Sequence, residues 1–283
     1  MKITTKPYFK ELFTTLLLFL TLTSFCFAQM DTVVINNQKI ACSVKEVTPD
    51  AVKYTFPGEE VMNSVYKNTV QKIIFKSGRV QTFAESSSFK AVAGVMDYDK
   101  VTITSVEGEV KGLYKLSDVS SKAKGTTVYS NQERVKDRAY KKLKIQAAMF
   151  GANIVYLTNQ RTEGNKYGTY FTAGSTAETN LTGLAYSNTV PDFEKFKALL
   201  GTRTDFMALT KYELGASDSD VSIDAIEKTF KITGITNENG VIVIQANLKG
   251  EDDIHTFQLA GFTDKDFSIA YRRKGTAYNL VIN

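Results

Sequence analysis

The sequence predicts an α+β fold that is mostly β, with three small modules in series behind a cleavable leader. Short apolar-alternating runs, separated by turns rich in Asn, Asp and Gly, recur through most of the chain. One long stretch near the middle has the apolar spacing of an amphipathic helix. Hydrophobic residues make up 43% of the chain and charged residues 23%, as is usual for a globular protein.

Residues 1–28 have the order of charge and apolarity that is typical of a secretory signal peptide. A segment with three lysines precedes an apolar run from Leu16 to Leu22, and small residues lead up to Ala28. The run is shorter than the ~20 apolar residues that a membrane-spanning helix needs. We therefore expect cleavage after Ala28 and export to the periplasm or the cell exterior. Lipid anchoring at Cys26 is the alternative, which the bulky Phe25 disfavours.

Net charge limits the kinds of partner that the protein can bind, and cysteine content decides whether a disulfide can stabilise it. Removing residues 1–28 takes away three Lys and one Glu, so the formal net charge falls from +5 to +3. So small a charge argues against a nucleic-acid partner. Only Cys42 survives cleavage, which excludes an intramolecular disulfide. We expect Cys42 to be a buried core thiol, since it shares one side of a strand with Ile40 and Val44.

Residues 29–88 are expected to form a small β module. The predicted strands are Val33–Ile35, Lys39–Val44, Ala51–Phe56, Lys72–Phe75 and Arg79–Phe83, with a brief helical turn over 68–71. Turn signals separate them, among them Asn36-Asn37 and Lys76-Ser77-Gly78. This spacing, with the closing segment IIFKSGRVQTF, resembles small β modules at the start of exported Gram-negative envelope proteins. These short strands predict a β-meander or a small barrel, and the serine-containing segment 84–94 is interpreted as a linker.

Residues 98–189 are expected to place one helix on a short antiparallel sheet. The predicted strands are Lys100–Val106, Val110–Lys115, Asn153–Leu157, Tyr167–Thr172 and Asn180–Tyr186. The helix is predicted to begin at a capping box formed by Ser130 and Glu133 and to end at Gly151.

The helix–strand junction AYKKLKIQAAMFGANIVYL resembles a superfamily of small bacterial envelope domains. These include the Rcs-type stress-sensor lipoprotein domain and small proteins described as heavy-metal-binding. The matched positions are Ala139, Leu143, Ala147, Gly151, Ala152, Asn153 and Val155. The resemblance implies a stress-related envelope role and homo-oligomer formation. This module lacks ligands at metal-binding spacing, so we expect no metal and no cofactor, and we interpret Gly151, Ala152 and Asn153 as structural.

Residues 191–283 are expected to form an antiparallel β barrel or sandwich with a lipocalin-like layout. A short amphipathic helix comes first and ends at Gly201. The predicted strands are Phe206–Glu213, Lys228–Ile235, Val241–Leu248, Ile254–Leu259, Phe267–Arg272 and Ala277–Ile282.

No catalytic constellation is evident in the sequence. The single histidine, His255, has no nucleophile at a recognisable spacing, so we expect a protein that is not an enzyme. The helix of the second module carries a candidate interaction face formed by Arg134, Arg138, Lys141 and Lys142. An ordinary solvated helix face is the alternative interpretation.

These observations favour an exported, non-catalytic cell-envelope protein that acts as an interaction or stress-related module. Its partner would be an envelope protein or an acidic envelope surface, with a homo-oligomer as a further option and no nucleic acid. The alternative hypothesis is a carrier that holds an apolar or amphipathic ligand inside the C-terminal barrel.

Overall fold

The computed structural model describes residues 30–35, 38–83, 89–168 and 173–283, and the fold is α+β and mostly β, as predicted. The predicted signal peptide lies outside the described residues. Within those ranges, no helix combines the length and the apolarity that crossing a membrane would require.

The first module is a six-stranded antiparallel sheet. Its strands are β1 (Asp31–Ile35), β2 (Gln38–Val47), β3 (Ala51–Thr55), β4 (Asn63–Tyr66), β5 (Val70–Ile74) and β6 (Val80–Thr82), in the spatial order β4-β3-β2-β1-β5-β6. The predicted helical turn is a 3-10 helix over Lys67–Thr69. Cys42 is fully buried beside Val33 and Ile73, and burial raises the pKa of its thiol. The predicted turn residues Asn36 and Asn37 lie outside the described residues.

The middle module packs one long helix on a four-stranded sheet. Its elements are 3-10 helices over Val95–Lys100 and Glu107–Glu109, β7 (Thr102–Thr104), β8 (Tyr114–Lys124), α1 (Gln132–Met149), β9 (Ile154–Glu163) and β10 (Glu178–Ser187). The spatial order is β7-β9-β10-β8. The prediction of a purely antiparallel sheet is wrong in one pair, because β7 runs parallel to β9.

One predicted strand of this module is wrong, and another lies partly outside the described residues. The strand over Val110–Lys115 is wrong: Val110 closes a 3-10 turn, and β8 begins only at Tyr114. β8 instead continues through the polar stretch because Ser121 lies between Val119 and Ala123 on the face under the helix. Of the predicted strand Tyr167–Thr172, Tyr167 lies in a turn and 169–172 lie outside the described residues.

The start of α1 also differs from the prediction. The N-cap is Asn131, whose side-chain oxygen accepts a hydrogen bond from the Arg134 amide at 3.1 Å. The Ser130 hydroxyl accepts a hydrogen bond from the Thr127 amide at 3.1 Å, within the turn that precedes the helix. The predicted capping box of Ser130 and Glu133 is therefore wrong, since the next residue along is the cap.

Helix α1 is buried on two sides. The predicted apolar stripe, which includes Val135, Ala139 and Leu143, packs on its own sheet. A second set, Ile145 and Met149, has no exposed surface and belongs to a separate cluster with residues of the C-terminal barrel. The helix therefore belongs to two hydrophobic cores at once.

The segment Gly151-Ala152-Asn153 closes the helix and fits it against the barrel. Gly151 has φ of 75°, and a Cβ added there would lie 2.2 Å from the carbonyl oxygen of Ala260. Ala152 is fully buried. The Asn153 side-chain amide donates to the Asn188 side chain at 2.6 Å. Each residue thus has a packing or hydrogen-bonding role in this structure.

The third module is a closed six-stranded barrel. Of the two predicted forms, barrel and sandwich, the structure therefore has the barrel. Its elements are α2 (Phe193–Leu200), β11 (Asp205–Leu214), β12 (Ser222–Glu238), β13 (Val241–Leu248), β14 (Thr256–Phe262), β15 (Phe267–Arg273) and β16 (Thr276–Ile282). Each strand pairs with the next, and β16 returns to β11. Helix α2 contributes Phe196 and Leu200 to the barrel core.

Substituting Gly151 by Ala tests the close contact between α1 and the barrel. A side chain at positive φ costs about 1–2 kcal/mol, and the clash with Ala260 adds about 1–3 kcal/mol of overpacking. Gly275→Ala is the matched control, since Gly275 has φ of 82° but no atom within 4 Å of an added Cβ. Urea unfolding should show a larger loss of unfolding free energy for Gly151→Ala than for Gly275→Ala. Equal losses in the two variants would contradict the close contact with Ala260.

Candidate functional site

Side chains from α1 and from the barrel cover the outer edge of strand β8. This strand is the last in its sheet, so its outward backbone groups have no neighbouring strand. Four of these groups instead bind side chains: the carbonyls of Asp118, Lys122 and Lys124 accept from Arg272, Lys142 and Arg138, and the amide of Ser120 donates to Gln146. The donor–acceptor distances are 2.8, 3.1, 2.9 and 3.3 Å in that order. The edge is thus lined by cationic groups.

Lys142 is the most buried of these cations. It is 3% exposed, and its Nζ donates to the Lys122 carbonyl and, at 2.7 Å, to the Ala216 carbonyl of the barrel. Burial lowers the pKa of Lys142; Arg138 lowers it further, whereas Asp218 opposes the shift. No carboxylate of the described residues forms an ion pair with this ammonium, so its direct contacts are carbonyl dipoles, and Asp218 acts on it only from a longer distance.

A groove of about 430 Å³ lies between the end of β8 and the barrel loop that joins β11 to β12. Its charged lining residues are Lys122, Lys124, Arg138, Lys142 and Asp218. Asp218 already accepts a hydrogen bond from the Gly215 amide at 2.7 Å, which fixes the loop. A smaller cavity of about 200 Å³ shares Lys122 and Lys142 with the groove. Four cations against one carboxylate make the groove electropositive.

One further carboxylate lies near the groove. Glu178 forms ion pairs with Lys122 at 2.7 Å and with Lys124 at 4.0 Å, and these contacts lower the pKa of Glu178. The two lysine side chains are 57% and 60% exposed, so the pairs contribute little to stability and are weakened by salt. With Glu178 included, four cations face two carboxylates, so the groove remains net positive and could hold a carboxylate or phosphate group.

The structure divides the predicted interaction face. Arg134 is exposed on the first turn of α1. Arg138 and Lys142 line the groove, whereas Lys141 forms an ion pair with Asp220 of the barrel loop. That contact raises the pKa of Lys141 and lowers the pKa of Asp220. Part of the face that was predicted to bind a partner thus binds the chain's own barrel.

Sequence reasoning missed Lys122 and Lys124 as members of the site. Both alternate with the buried Ser121 and Ala123, which is a strand pattern that places the lysines outward. The pattern could have identified them if β8 had been predicted to extend this far.

His255, the one histidine, and the nearby Asp253 have separate partners. His255 is exposed, and its Nδ1 lies 3.1 Å from the Asn247 side-chain oxygen. Asp253 binds Arg273 at 3.0 Å. Within the described ranges, no group of three or more His, Cys, Asp or Glu residues could hold a metal ion.

The barrel interior is filled with aromatic side chains. Phe196, Phe206 and Phe230 pack around Phe267 at centroid distances of 5.4, 5.3 and 6.3 Å. A barrel of about eight strands is just wide enough for its own side chains, and this one has six. The packing does not favour the carrier hypothesis.

Comparison of the chain with protein-family models, with curated proteins and with solved structures finds no match. The resemblance of the segment 139–157 to the envelope-domain superfamily therefore stays a prediction. The groove between β8 and the barrel loop is therefore the feature from which a function can be inferred.

Replacing Lys142 by Met tests whether this buried charge opposes folding. A lowered pKa means that the folded state releases the proton before the unfolded state, whose lysine has the ordinary pKa of 10.5. The stability of the wild type relative to Lys142→Met should therefore rise as pH increases towards 10.5. Chemical unfolding of both proteins between pH 7 and about 10.5 measures this difference. A difference that stays flat, or that falls with pH, would contradict the assignment.

Proposed function

We propose that the chain is an exported, non-catalytic cell-envelope protein that acts as an interaction module, with the stress-related role that the superfamily resemblance implies. The observation that supports this proposal is the electropositive groove between β8 and the barrel loop. Among the described residues, the Lys142 ammonium forms no ion pair: its hydrogen bonds go to two carbonyls, and Asp218 compensates its charge only from a longer distance. An acidic partner would supply a closer counter-charge.

The shape of the groove favours an acidic segment of a protein over a membrane surface. Lys142 is recessed, with 3% of its surface exposed, and lies beneath Arg138 and the loop over 215–219. A projecting Asp or Glu side chain can reach into such a groove, whereas the headgroups of a flat bilayer meet only the rim lysines. Serines 217 and 219 on the loop add neutral donors and acceptors for the backbone of such a segment.

Site-specific photo-crosslinking in the host tests the proposed groove. A photoreactive amino acid at Ser219, which is exposed on the groove rim, should yield a discrete protein adduct. The same group at Glu227, exposed on β12 and outside the groove lining, is the control and should not yield that adduct. The combined variant Lys122→Gln, Lys124→Gln should reduce the adduct about tenfold, because it removes two of the four groove cations.

The charge-matched control is Lys195→Gln, Lys197→Gln, which removes two exposed lysines from α2. This variant should crosslink as the wild type does. A lipid or lipopolysaccharide adduct at Ser219, or equal losses in the two variants, would contradict binding of an acidic protein segment in the groove.

Export itself is tested by the mass of the mature chain. Fractionation of the host with a C-terminally tagged protein should place it outside the cytoplasm, with an intact mass that begins at Gln29. Leu18→Arg, which puts a charge in the apolar run, should leave an uncleaved cytoplasmic precursor. A wild-type chain of full mass in the cytoplasm would contradict the envelope location.

A further inference from the structure

A second cleft lies beside the N-terminus of α1, next to the loop that follows the C-terminal end of β8. Its volume is about 550 Å³. Two of its lining residues, Tyr129 and Tyr167, are 81% and 83% exposed. They are the two most exposed large hydrophobic side chains in the part of the chain that the structure describes. Isolated exposed hydrophobic residues are ordinary, but the two extreme cases sharing one cleft indicate a binding surface.

The loop that carries Tyr167 is held by its own hydrogen bonds. The Asn165 side chain accepts from the Tyr167 amide at 3.1 Å and donates to the Gly168 carbonyl at 3.2 Å. The Asn165 and Ser175 segments are joined twice, at 3.0 Å and 2.8 Å. Gly164, with φ of 127°, lets this loop lie directly on Ala177. The backbone at Tyr167 is therefore held by hydrogen bonds before any ligand arrives, which reduces the ordering cost of binding.

The loop that carries Tyr129 is attached to the same strand end. The Gly125 amide donates to the Ala177 carbonyl at 2.7 Å. A Cβ at Gly125 would lie 2.4 Å from Cβ of Ser130, so the loop turns tightly there. Both tyrosine loops thus meet at Ala177 and form the two sides of the cleft.

Neutral and acidic polar groups also line the cleft. Asn131, Gln132 and Glu133 are exposed at the start of α1. In the part of the chain that the structure describes, the ion-pair partner of the Glu133 carboxylate is Lys136, at the long distance of 3.9 Å. A carboxylate and amides accept and donate hydrogen bonds together, as sugar hydroxyl groups require. One carboxylate, that of Glu133, and one ammonium, that of Lys166, line the cleft, so its charges balance and it differs in chemistry from the basic groove.

We propose that this cleft binds a neutral oligosaccharide, with the apolar C–H faces of its pyranose rings on Tyr129 and Tyr167. A tyrosine ring presents a broad apolar face with a polar hydroxyl at its edge, which matches a sugar ring that is apolar on its face and polar at its rim. The amide and carboxylate groups of Gln132 and Glu133 supply hydrogen bonds to the hydroxyl groups. Lys166, whose Nζ lies 4.6 Å from the Tyr167 ring centroid, covers one face of that ring and leaves the other to the sugar. This site is separate from the groove and from its acidic partner.

Calorimetric titration of the mature chain with two neutral probes, tetra-N-acetylchitotetraose and maltotetraose, tests the proposal. The wild type should bind at least one of them. Tyr129→Ala and Tyr167→Ala should each weaken that binding about tenfold, because each removes one stacking surface. Tyr129→Phe keeps the ring and should bind within about twofold of the wild type. Because both side chains are exposed, the Ala variants should unfold at the same urea concentration as the wild type.

Tyr66→Ala is the control, since Tyr66 is also exposed but lies on β4 in the first module. This variant should bind the probe as the wild type does. Failure of the wild type to bind either probe at millimolar concentration, or unchanged binding in both cleft Ala variants, would overturn the proposal. The groove variant Lys122→Gln, Lys124→Gln should leave sugar binding intact, so the two proposed sites can fail separately.

Discussion

The burial of α1 on two sides is the constraint on which the arrangement of the middle module and the barrel depends. A helix that lies on a sheet usually keeps its outer face polar and solvated. Here the outer face carries Ile145 and Met149, which pack against Leu214 and Ala277 of the barrel. The Asn279 side chain also donates to the Met149 carbonyl at 2.7 Å, a buried hydrogen bond at the end of the helix. The two modules therefore share one helix instead of touching through a polar surface.

The groove follows from this shared helix. Lys142 occupies the border between the two apolar faces, where the helix, the edge of β8 and the barrel loop come together. The open edge of β8 needs hydrogen-bond donors, and long cationic side chains reach it from the helix and from the barrel. Satisfying carbonyl oxygens with ammonium and guanidinium groups supplies the donors but does not neutralise the charge. The cationic side chains that cover the edge of β8 therefore also concentrate positive charge at one place.

The helices and strands of this fold are easier to predict from the sequence than the tertiary contacts between them. Apolar periodicity located α1 and the barrel strands because each of those elements buries one regular face. It did not locate the second buried face of α1, since Ile145 and Met149 acquire their partners from residues far along the chain. The N-cap is Asn131 instead of Ser130, whose hydroxyl accepts a hydrogen bond within the preceding turn.

The site was predictable only in part for the same reason. Arg138 and Lys142 stood out as members of a basic helix face, but their surroundings come from separate segments. The contact of Lys142 with Ala216 joins residues 74 positions apart. The tyrosine cleft likewise brings together loops on either side of α1, and nothing in the local sequence distinguishes Tyr129 from other tyrosines. Exposure, which depends on the fold, is what singles it out.

Closure of the barrel determines the order in which parts of this chain can fold. Neighbouring strands form consecutive hairpins, which are local contacts that form quickly, but closure needs β16 to return to β11, where Ala208 pairs with Ile282. Until the last strand has left the ribosome, the barrel has an open edge and the second face of α1 has no cover. The middle module therefore cannot complete its burial before β16 has emerged. A chain that is made from its N-terminus therefore exposes Ile145 and Met149 for as long as the barrel strands are still being added.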